Sequence, residues 1–537
     1  MQTYISCENI PSCPRSVALG LFDGLHPAHR QVILAAADGI EDGTAVTVYT
    51  FDPATVTTKA IRGLLCDQAE EEHILRLLGA DELFRVDFAA VQHLSPEEFV
   101  HKILKEQLGA VKVSCGYNYR FGYRGAGDTA LLTALCAEEG ISVTVVPEID
   151  IDGIPVSSTA IRAAIADGDM ALARRLLGRP YCLRAPVVAG QHLGSKLAFP
   201  TINQVFPNGF ALPRFGVYAS RVEIEGETYP AVTNIGLRPT VGADAPLAET
   251  HIFGFSGDLY GKTPSVYPLT FLRPEQRFDT IEELQAQIRQ DAAAATLIDE
   301  QAAQGIRAVF FDFDDTLDNR DHAFRAGLSA FLRYYYPSLS EEEVISRREE
   351  MFYFQRGHYG EIIYYRDMLA HFLEVWPPEV PTDVSTAYRR MIRAFAQAGQ
   401  PHPDVYDTLT ALRQRGYLVG IITNGTPGTQ CKKIDCCNLR LYADLVVLAG
   451  DEGIQKPDPR IFRIAAARLG VSPSACLFVG DHPINDLEGA RAAGFRPVRK
   501  EGDWDAAHPI HSIPVAEDIP TIRRISEVLT LLDDSPT

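Results

Sequence analysis

The sequence predicts a multidomain α/β protein in which two Rossmann-like regions with parallel sheets flank a small antiparallel β-barrel. The chain has 537 residues, which is too long for one hydrophobic core and suggests about three or four domains. Buried strands alternate with helical segments in its first and last parts, which indicates parallel sheets. Its middle part instead contains short alternating segments separated by Gly and Pro, a pattern typical of a barrel.

Composition and charge disfavour several classes of function. Lys and Arg number 50 against 70 Asp and Glu, so we expect the net charge of −20 to repel nucleic acid and anionic lipid. No run of about 18 apolar residues and no signal-peptide pattern occurs. Ten scattered cysteines without metal-ligand spacing are typical of reduced thiols in a cytoplasmic protein. We therefore expect no nucleic acid and no membrane as partners, while homo-oligomerisation stays open.

The segment Gly20–His29 (GLFDGLHPAH) follows a predicted buried strand and leads into a helix that begins near Pro27. His26 and His29 lie three residues apart at the start of this helix, a position that favours phosphate. Two imidazoles there can donate hydrogen bonds to phosphate oxygens as charge develops during attack on an α-phosphate. The alternative is a pair of inert loop histidines.

A second candidate segment, Ser157–Arg162 (SSTAIR), begins a helix with Ser and Thr residues that are natural N-caps. Arg162 lies one turn inside this helix and could reach phosphates bound at its end. A plain capped helix with a surface arginine is the alternative. Helical segments over Glu70–Leu78 and Pro96–Gln107 complete the alternation expected of a parallel sheet.

These segments, together with YTFDP ending at Pro53 and the CGYNYRFG segment that contains Asn118, resemble the adenylyltransferase module of bifunctional riboflavin kinase/FAD synthetases. The resemblance implies that residues 1–182 form a nucleotidyltransferase domain that transfers AMP from ATP to FMN. It implies His26 and His29 as catalytic residues and Asn118 as flavin-binding. The implied ATP- and phosphate-binding residues are Gly20, Asp23, Ser158, Thr159 and Arg162.

Two positions depart from the pattern of this family. Ala28 stands where a Gly usually precedes the second histidine, and Ala54 stands where the family usually carries a histidine. The added methyl group of Ala28 lies where the backbone is expected to meet phosphate. The alternative function for this module is therefore a flavin-nucleotide binding or regulatory platform without transferase chemistry.

The middle part contains Phe199-Pro200-Thr201-Ile202-Asn203. Pro200 biases Phe199 to an extended conformation, so Thr201 and Asn203 are expected to point the same way. A hydroxyl and an amide oxygen side by side, after a glycine-containing loop with Lys196, could hold a hydrated Mg²⁺ and phosphates. A turn with a local side-chain cap is the alternative.

The same run resembles the Pro-Thr-Ala-Asn motif of riboflavin kinases, with Ile in place of Ala, and three later segments resemble that family too: Asn234–Thr240, Glu249–Ile252 and Asp258–Lys262. The resemblance implies a β-barrel domain over residues 183–290 that phosphorylates the ribityl 5′-hydroxyl of riboflavin with ATP. Thr201 and Asn203 would bind Mg²⁺ and ATP, with Lys196 near the phosphates, while Glu249 would accept the hydroxyl proton. The alternative for Glu249 is an outward-facing residue on an edge strand.

An Ala-rich segment over residues 291–305 follows and predicts a helical linker that acts as a semi-rigid spacer after a helix near Ile281–Asp291. In the last part, over 306–537, an apolar strand ends at Asp312 and Asp314. Carboxylates at the end of a buried strand imply a bound cation.

Further polar groups follow other strand ends or precede a helix in this last part: Thr423, Asn424, Lys456, Asp481 and Asp486. Since the carboxyl ends of parallel strands meet at one edge of a sheet, we expect a single site there. The ordered set resembles the haloacid dehalogenase-like phosphohydrolases, which have a Rossmann-like domain with a helical cap, here about 318–400. Aromatic residues in this insert, such as Tyr334–Tyr336, are expected to form the core of the cap.

The resemblance implies Asp312 as a nucleophile that forms an aspartyl-phosphate and Asp314 as the acid/base. Thr423, Asn424 and Lys456 would hold the phosphoryl group. Mg²⁺ would be bound by Asp312, Asp481 and the carbonyl of Asp314, with Asp486 supporting the metal site. A scaffold role without turnover is the alternative for this domain.

Together the motifs predict a riboflavin kinase that makes FMN, an FMN adenylyltransferase that makes FAD, and a fused Mg²⁺-dependent phosphatase. The fusion favours a flavin-pathway phosphate ester as the phosphatase substrate, either FMN or the phosphorylated ribitylamino-pyrimidine precursor of riboflavin. A kinase with a degenerate N-terminal nucleotide-binding module and a phosphatase of unrelated substrate is the alternative.

Overall fold

A computed structural model describes residues 1–7, 10–56, 63–189, 199–240, 243–302, 305–356, 364–501 and 513–533. Three large sheets of six, seven and six strands organise these residues. The first and third are parallel and the second is antiparallel. The predicted multidomain α/β class is therefore confirmed.

The first sheet is parallel, with strand order β1-β4-β3-β2-β5-β6. Its strands are β1 (Gln2–Tyr4), β2 (Arg15–Leu19), β3 (Ala45–Phe51), β4 (Glu82–Val86), β5 (Ala110–Gly116) and β6 (Ser142–Val146), and a hairpin of β7 (Asp150–Ile151) and β8 (Ile154–Pro155) follows. The helices are α1 (Pro27–Ala37), α2 (Gln68–Leu78), α3 (Pro96–Glu98, continued by the π-helical Phe99–Gln107), α4 (Thr129–Glu138), α5 (Ser158–Asp167) and α6 (Met170–Leu177). All five residues of β2 are buried, as expected for a central strand covered on both faces.

The second sheet has the order β10-β11-β14-β13-β12-β15-β9. Its strands are β9 (Leu183–Arg184), β10 (Val187–Val188), β11 (Thr201–Val205), β12 (Gly216–Ile224), β13 (Glu227–Thr240), β14 (Ala243–Ile252) and β15 (Ser265–Arg273). Only Ala185 and Pro186 separate β9 from β10, yet these strands form opposite edges of the sheet. The sheet must therefore curl back on itself in the manner of the predicted barrel.

Helix α7 (Ile281–Ala302) follows the second sheet and runs through most of the predicted linker. Arg273 at the end of β15 fixes this helix with a bidentate ion pair to Asp291, with Nε–Oδ1 at 2.9 Å and Nη2–Oδ2 at 2.7 Å. The helix predicted to close the barrel and the helical spacer are thus one continuous element, because the alanines that follow Asp291 are strong helix formers.

The third sheet has the order β18-β17-β16-β19-β20-β21. Its strands are β16 (Ala308–Phe311), β17 (Leu418–Thr423), β18 (Leu445–Leu448), β19 (Cys476–Gly480), β20 (Arg496–Lys500) and β21 (Thr521–Ile522). Four helices lie between β16 and β17: α8 (Arg320–Tyr335), α9 (Glu341–Arg356), α10 (Tyr365–Val375) and α11 (Val384–Gln397). The other helices are α12 (Val405–Gln414), α13 (Pro427–Cys436), α14 (Ala449–Glu452), α15 (Pro459–Leu469), the π-helical Pro483–Glu488, α16 (Gly489–Ala493) and α17 (Val528–Asp533).

The helices α8–α11 enclose a separate aromatic core, as predicted for a cap. Phe324, Phe331, Tyr335 and Phe395 are all buried in it. Tyr353 and Tyr364 are instead more than half exposed, at 52% and 66%.

The helices that cover the first sheet are in contact with a helix that covers the third sheet. Ile33 of α1, Leu75 of α2 and Ile434 of α13 belong to one buried hydrophobic cluster. The loop before β3 also touches the cap, since Arg390 Nε donates to Asp42 Oδ1 at 2.8 Å. The two parallel-sheet regions therefore share a hydrophobic core.

All ten cysteines are free, in agreement with the prediction of reduced thiols. Within the described ranges, no helix combines the length and the apolar character that crossing a membrane requires.

Candidate functional sites

The first candidate site lies between the end of β2 and the start of α1. His26 caps α1, and its Nδ1 accepts a hydrogen bond from the backbone N–H of His29 at 3.4 Å. The two imidazole rings stack with their centroids 3.6 Å apart. Burial lowers the pKa of His26, and together with the charge of Arg162 it lowers the pKa of His29 to about 3. Both imidazoles are therefore neutral near pH 7, and each can still donate one N–H bond.

The start of α5 is bonded to the loop that carries these histidines. Arg162 Nη2 donates to Asp23 Oδ2 at 2.5 Å, and its Nε donates to Gly63 O at 2.8 Å. The Ser158 hydroxyl donates to Asp23 O at 3.0 Å. Strand β2, helix α1 and helix α5 thus bring Asp23, Ser158 and Arg162 together near the two histidines.

The remaining predicted residues of this region are placed differently. Thr159 is exposed at the start of α5, and Asn118 is exposed in the turn after β5. Gly20 lies against the Phe22 ring, and a Cβ at Gly20 would come within 3.0 Å of that ring. Ala28 is half-buried and packs against a hydrophobic cluster that includes residues of α5 and α6.

The second candidate site lies on β11 and β14. In their antiparallel register Asn203 is directly opposite Glu249, and Thr201 is opposite His251. Residues opposite each other on one face have Cβ atoms about 4.5–5.5 Å apart, so the hydroxyl, the amide and the carboxylate share a face. The pairing of β14 with β13 places Asn234 opposite Glu249 as well.

Asn203 is the key polar residue of this second site. Its side chain is buried, and its Oδ1 has no hydrogen-bond partner among the residues that the structure describes. A buried oxygen without a partner is costly, and amide and hydroxyl oxygens are ligands that Mg²⁺ accepts. The residues present therefore fit a metal–phosphate group. Lys196 lies outside the described residues.

The third candidate site lies at the carboxyl ends of β16 and β19. The carboxylates of Asp312, Asp481 and Asp486 are buried, with potential ligand oxygens all within 4.8 Å of one another. Burial raises the pKa of Asp312 to about 7, although Lys456 acts in the opposite direction. Burial and the neighbouring carboxylates also raise the pKa of Asp481. Because three crowded carboxylates gain most from a hard divalent cation, this donor set fits Mg²⁺.

Lys456 is the cation that the structure places inside this carboxylate cluster. Its Nζ donates to Asp312 Oδ1 at 2.5 Å and to Asp486 Oδ1 at 2.7 Å. The Asn424 side chain forms two hydrogen bonds with the backbone of Lys456. Asn424 Nδ2 donates to Lys456 O and Asn424 Oδ1 accepts from the Lys456 N–H, both at 2.9 Å. The side chain of Asn424 therefore fixes the backbone of Lys456, which orients the lysine in the site.

Asp314 is held by two residues that the sequence analysis missed. Gln430 Nε2 donates to Asp314 Oδ2 and to Thr423 Oγ1, both at 2.7 Å, and Lys433 Nζ forms an ion pair with Asp314 Oδ1. Both residues lie on α13, which begins shortly after Thr423. The two residues lie three positions apart on a helix that follows a strand ending at the site, and this spacing is the signal in the sequence that could have indicated them.

Comparisons with known proteins give a family match over each of the three regions that contain these sites. A family model for FAD synthetase matches residues 10–160, and one for riboflavin kinase matches residues 177–298. A third model, for haloacid dehalogenase-like hydrolase, matches residues 306–494. A bifunctional riboflavin kinase/FMN adenylyltransferase from Pseudomonas fluorescens is 35% identical over 288 residues, covering 52% of this chain and 90% of the relative. The chain belongs to the bifunctional riboflavin kinase/FMN adenylyltransferase family.

The resemblance to this family inferred from the motifs is thereby confirmed. The relative with the same description from Escherichia coli strain K12 is 33% identical over 304 residues, covering 55% of this chain and 97% of the relative. The haloacid dehalogenase-like hydrolase region follows the part of the chain that these relatives match. A solved structure of the HAD-hydrolase YfnB from Bacillus subtilis covers 43% of this chain and all of its own, with 21% identity and a TM-score of 0.34.

Proposed function

We propose that this chain phosphorylates riboflavin to FMN, adenylylates FMN to FAD, and hydrolyses a flavin-pathway phosphate ester with Mg²⁺. The domains assigned to these reactions are 183–290, 1–182 and 306–537, with 291–305 as a helical linker. The observation that carries the kinase assignment is the register that sets Glu249 opposite Asn203, whose buried Oδ1 lacks a described partner. Membership of the family supports both transferase activities.

In the kinase reaction, Glu249 takes the proton from the ribityl 5′-hydroxyl as its oxygen attacks the γ-phosphorus of ATP, and ADP leaves. Thr201 and Asn203 would hold Mg²⁺ and the ATP phosphates. When bound, Mg²⁺ would neutralise part of the phosphate charge. The rigid pairing of β11 with β14 sets the distance between this polar pair and the base.

In the adenylyltransferase reaction, a phosphate oxygen of FMN attacks the α-phosphorus of ATP and pyrophosphate leaves. His26 and His29 donate hydrogen bonds to the phosphate oxygens, and Arg162 supplies positive charge near them. Gly20, Asp23, Ser158 and Thr159 complete the proposed ATP site, and Asn118 is the proposed flavin contact.

Replacing His29 with Asn is expected to lower the rate of FAD formation about 10²-fold, because one donor to the developing charge is displaced. FMN formation should stay within about twofold of the unmodified chain, since the kinase site uses none of these residues. Chromatography of FMN and FAD over time measures both rates in one experiment. A variant that makes FAD at the original rate would exclude His29 from catalysis.

In the phosphatase reaction, the Asp312 carboxylate attacks the phosphorus atom while Asp314 protonates the leaving oxygen. Asp314 then takes a proton from the water that hydrolyses the aspartyl-phosphate. Thr423 and Lys456 would hold the phosphoryl oxygens, and Asn424 orients Lys456. Mg²⁺ would be held by Asp312, Asp481 and Asp486 together with the Asp314 carbonyl.

The proposed substrate is the phosphorylated ribitylamino-pyrimidine precursor of riboflavin, with FMN as the second candidate. The fusion to two flavin-nucleotide activities supports a substrate from this pathway. An FMN phosphatase would oppose the attached kinase, which favours the precursor. Steady-state hydrolysis of both compounds by the full chain tests the assignment, and turnover of unrelated esters with neither of these would overturn it.

The whole proposal is tested by incubating the full chain with riboflavin, ATP and Mg²⁺ and separating riboflavin, FMN and FAD over time. We expect FMN to form first and FAD to follow, and no conversion when Mg²⁺ is chelated. FMN without FAD would support the alternative of a nucleotide-binding N-terminal platform, for which Ala28 and Ala54 are the relevant departures. Reversion of FMN to riboflavin would identify FMN as the phosphatase substrate.

A further inference from the structure

Helix α13 of the hydrolase region lies between two functional sites. One of its faces carries Gln430 and Lys433, which contact Asp314. Its other face carries Cys431 and Asp435, which contact α1 of the adenylyltransferase region. The helix therefore connects the hydrolase site to a structural element of a different catalytic region.

The contacts toward the hydrolase site leave Asp314 little freedom. Lys433 is fully buried, and its Nζ lies 4.8 Å from the Phe313 ring centroid and 4.6 Å from that of Phe395. Gln430 ties the other carboxylate oxygen of Asp314 to Thr423. The orientation of the Asp314 side chain is thus set by α13, and any displacement of α13 must move it.

The contacts on the opposite face of α13 are also buried. Arg30 and Asp435 are 4% and 2% exposed, and Arg30 Nη1 donates to Asp435 Oδ2 at 3.0 Å. Arg440 Nε donates to Asp435 Oδ1 at 2.7 Å, and Gln31 Nε2 donates to the backbone oxygen of Asp435 at 2.7 Å. When Arg30 is replaced, Asp435 keeps its ion pair with Arg440, but the hydrogen bonds of the Arg30 guanidinium to Asp435 and Cys431 are lost from a buried contact, so the surrounding helices must shift or admit water.

We propose that Arg30, a residue of the adenylyltransferase region, is a positioning residue for the phosphatase. Through Asp435 it holds α13 in the place where Gln430 and Lys433 aim Asp314 at the leaving oxygen. The phosphatase site is therefore completed by the region to which it is fused. This inference rests on the proposed phosphatase function.

A misplaced Asp314 should affect esters with poor and good leaving groups differently, whereas general loss of structure slows both alike. In the first chemical step the P–O bond to the leaving group breaks, the phosphoryl group passes to Asp312, and the proton of Asp314 passes to the leaving oxygen. A poor leaving group depends on that proton, whereas p-nitrophenolate leaves well without it. A misplaced Asp314 should therefore slow hydrolysis of phenyl phosphate more than hydrolysis of p-nitrophenyl phosphate.

The test compares kcat/KM for these two esters in the full-length chain. Arg30→Met is expected to lower the phenyl to p-nitrophenyl ratio about 10-fold, mainly through kcat, and Gln430→Met, which removes a neutral contact to Asp314, should lower it at least as much. Arg30→Lys should restore part of the ratio. Since unfolded protein lowers both rates alike, the ratio is insensitive to a loss of folded enzyme.

Glu223→Gln is the matched control. It breaks another ion pair between regions, in which Arg468 Nη2 lies 2.9 Å from Glu223 Oε2, but this pair does not involve α13. We expect its ratio to be unchanged. The ratio of the double variant Arg30→Met/Gln430→Met should be within about twofold of that of Gln430→Met alone, because both changes act through the position of Asp314.

An unchanged ratio in Arg30→Met, together with a lowered ratio in Gln430→Met, would overturn the role of Arg30. An equal fall in Glu223→Gln would overturn it too, since the effect would then be general. If the unmodified chain hydrolyses neither ester, the phosphatase assignment itself fails, and this inference fails with it.

Discussion

Replacing Asp312 with Asn is expected to lower phosphatase turnover by about 10³-fold or more, while FMN and FAD formation continue at their original rates. The physical reason is that an amide cannot accept the phosphoryl group to form the aspartyl-phosphate on which the proposed reaction depends. The kinase and adenylyltransferase sites contain neither Asp312 nor its partners. Release of phosphate from p-nitrophenyl phosphate and a parallel flavin assay measure the two effects on one preparation.

The same variant should remain folded. Burial raises the pKa of Asp312 to about 7 from its ordinary value of 3.8, so the folded chain binds the proton more tightly than the unfolded chain. In metal-free buffer this carboxylate therefore lowers stability progressively as the pH rises from about 4 to about 7, and the penalty is fully present above that. Asn carries no such penalty, and Lys456 keeps its contact with Asp486. The Tm of the variant at pH 8 with a chelator should equal or exceed that of the original chain.

Phosphatase activity above about a tenth of the original in Asp312→Asn would contradict the assigned nucleophile. A fall in Tm with loss of all three activities would instead indicate global damage. Loss of phosphatase turnover with a preserved Tm would also exclude the alternative in which the hydrolase region serves only as a scaffold.

Replacing Glu249 with Gln is expected to lower kcat of the riboflavin kinase about 10²–10⁴-fold, with little change in the KM for riboflavin. The amide retains the shape of the side chain and one acceptor oxygen but cannot accept the hydroxyl proton. Asn203 opposite Glu249 keeps its place because the β11–β14 pairing uses backbone groups. The rate of FMN appearance from riboflavin and ATP measures the change.

Glu227→Gln provides a control for this prediction. Glu227 is an exposed carboxylate on the neighbouring strand β13, at the end close to the β12–β13 turn. Its replacement should leave kinase activity within about twofold. A Glu249→Gln variant with kcat within threefold of the original would remove Glu249 from the role of base, while its phosphatase rate should be unaffected in either case.

Much of the fold was determined by features that are local in sequence. The alternation of apolar strands with capped helices, as at Pro27 and at Ser157, predicts the parallel sheets and places His26, Arg162 and Asp312 at strand or helix ends. A strand end and a helix N-cap depend on neighbouring residues, so a short stretch of sequence is sufficient to predict them. The polar groups that meet along one sheet edge follow from parallel topology.

Other features depended on contacts between residues that are far apart in the chain. Arg30 and Asp435 are 405 positions apart, and no local pattern indicates that their charges meet in a buried contact between α1 and α13. The pairing of Asn203 with Glu249 likewise required the strand register.

The sequence by itself therefore determined the kinds of sheet and the chemistry at their edges. Only the tertiary structure decided how the regions pack, which polar side chain on α13 faces which site, and that Gln430 and Lys433 hold Asp314. The physical reason is that local propensity and periodicity act over a few residues, whereas burial and charge pairing depend on which distant surfaces become neighbours.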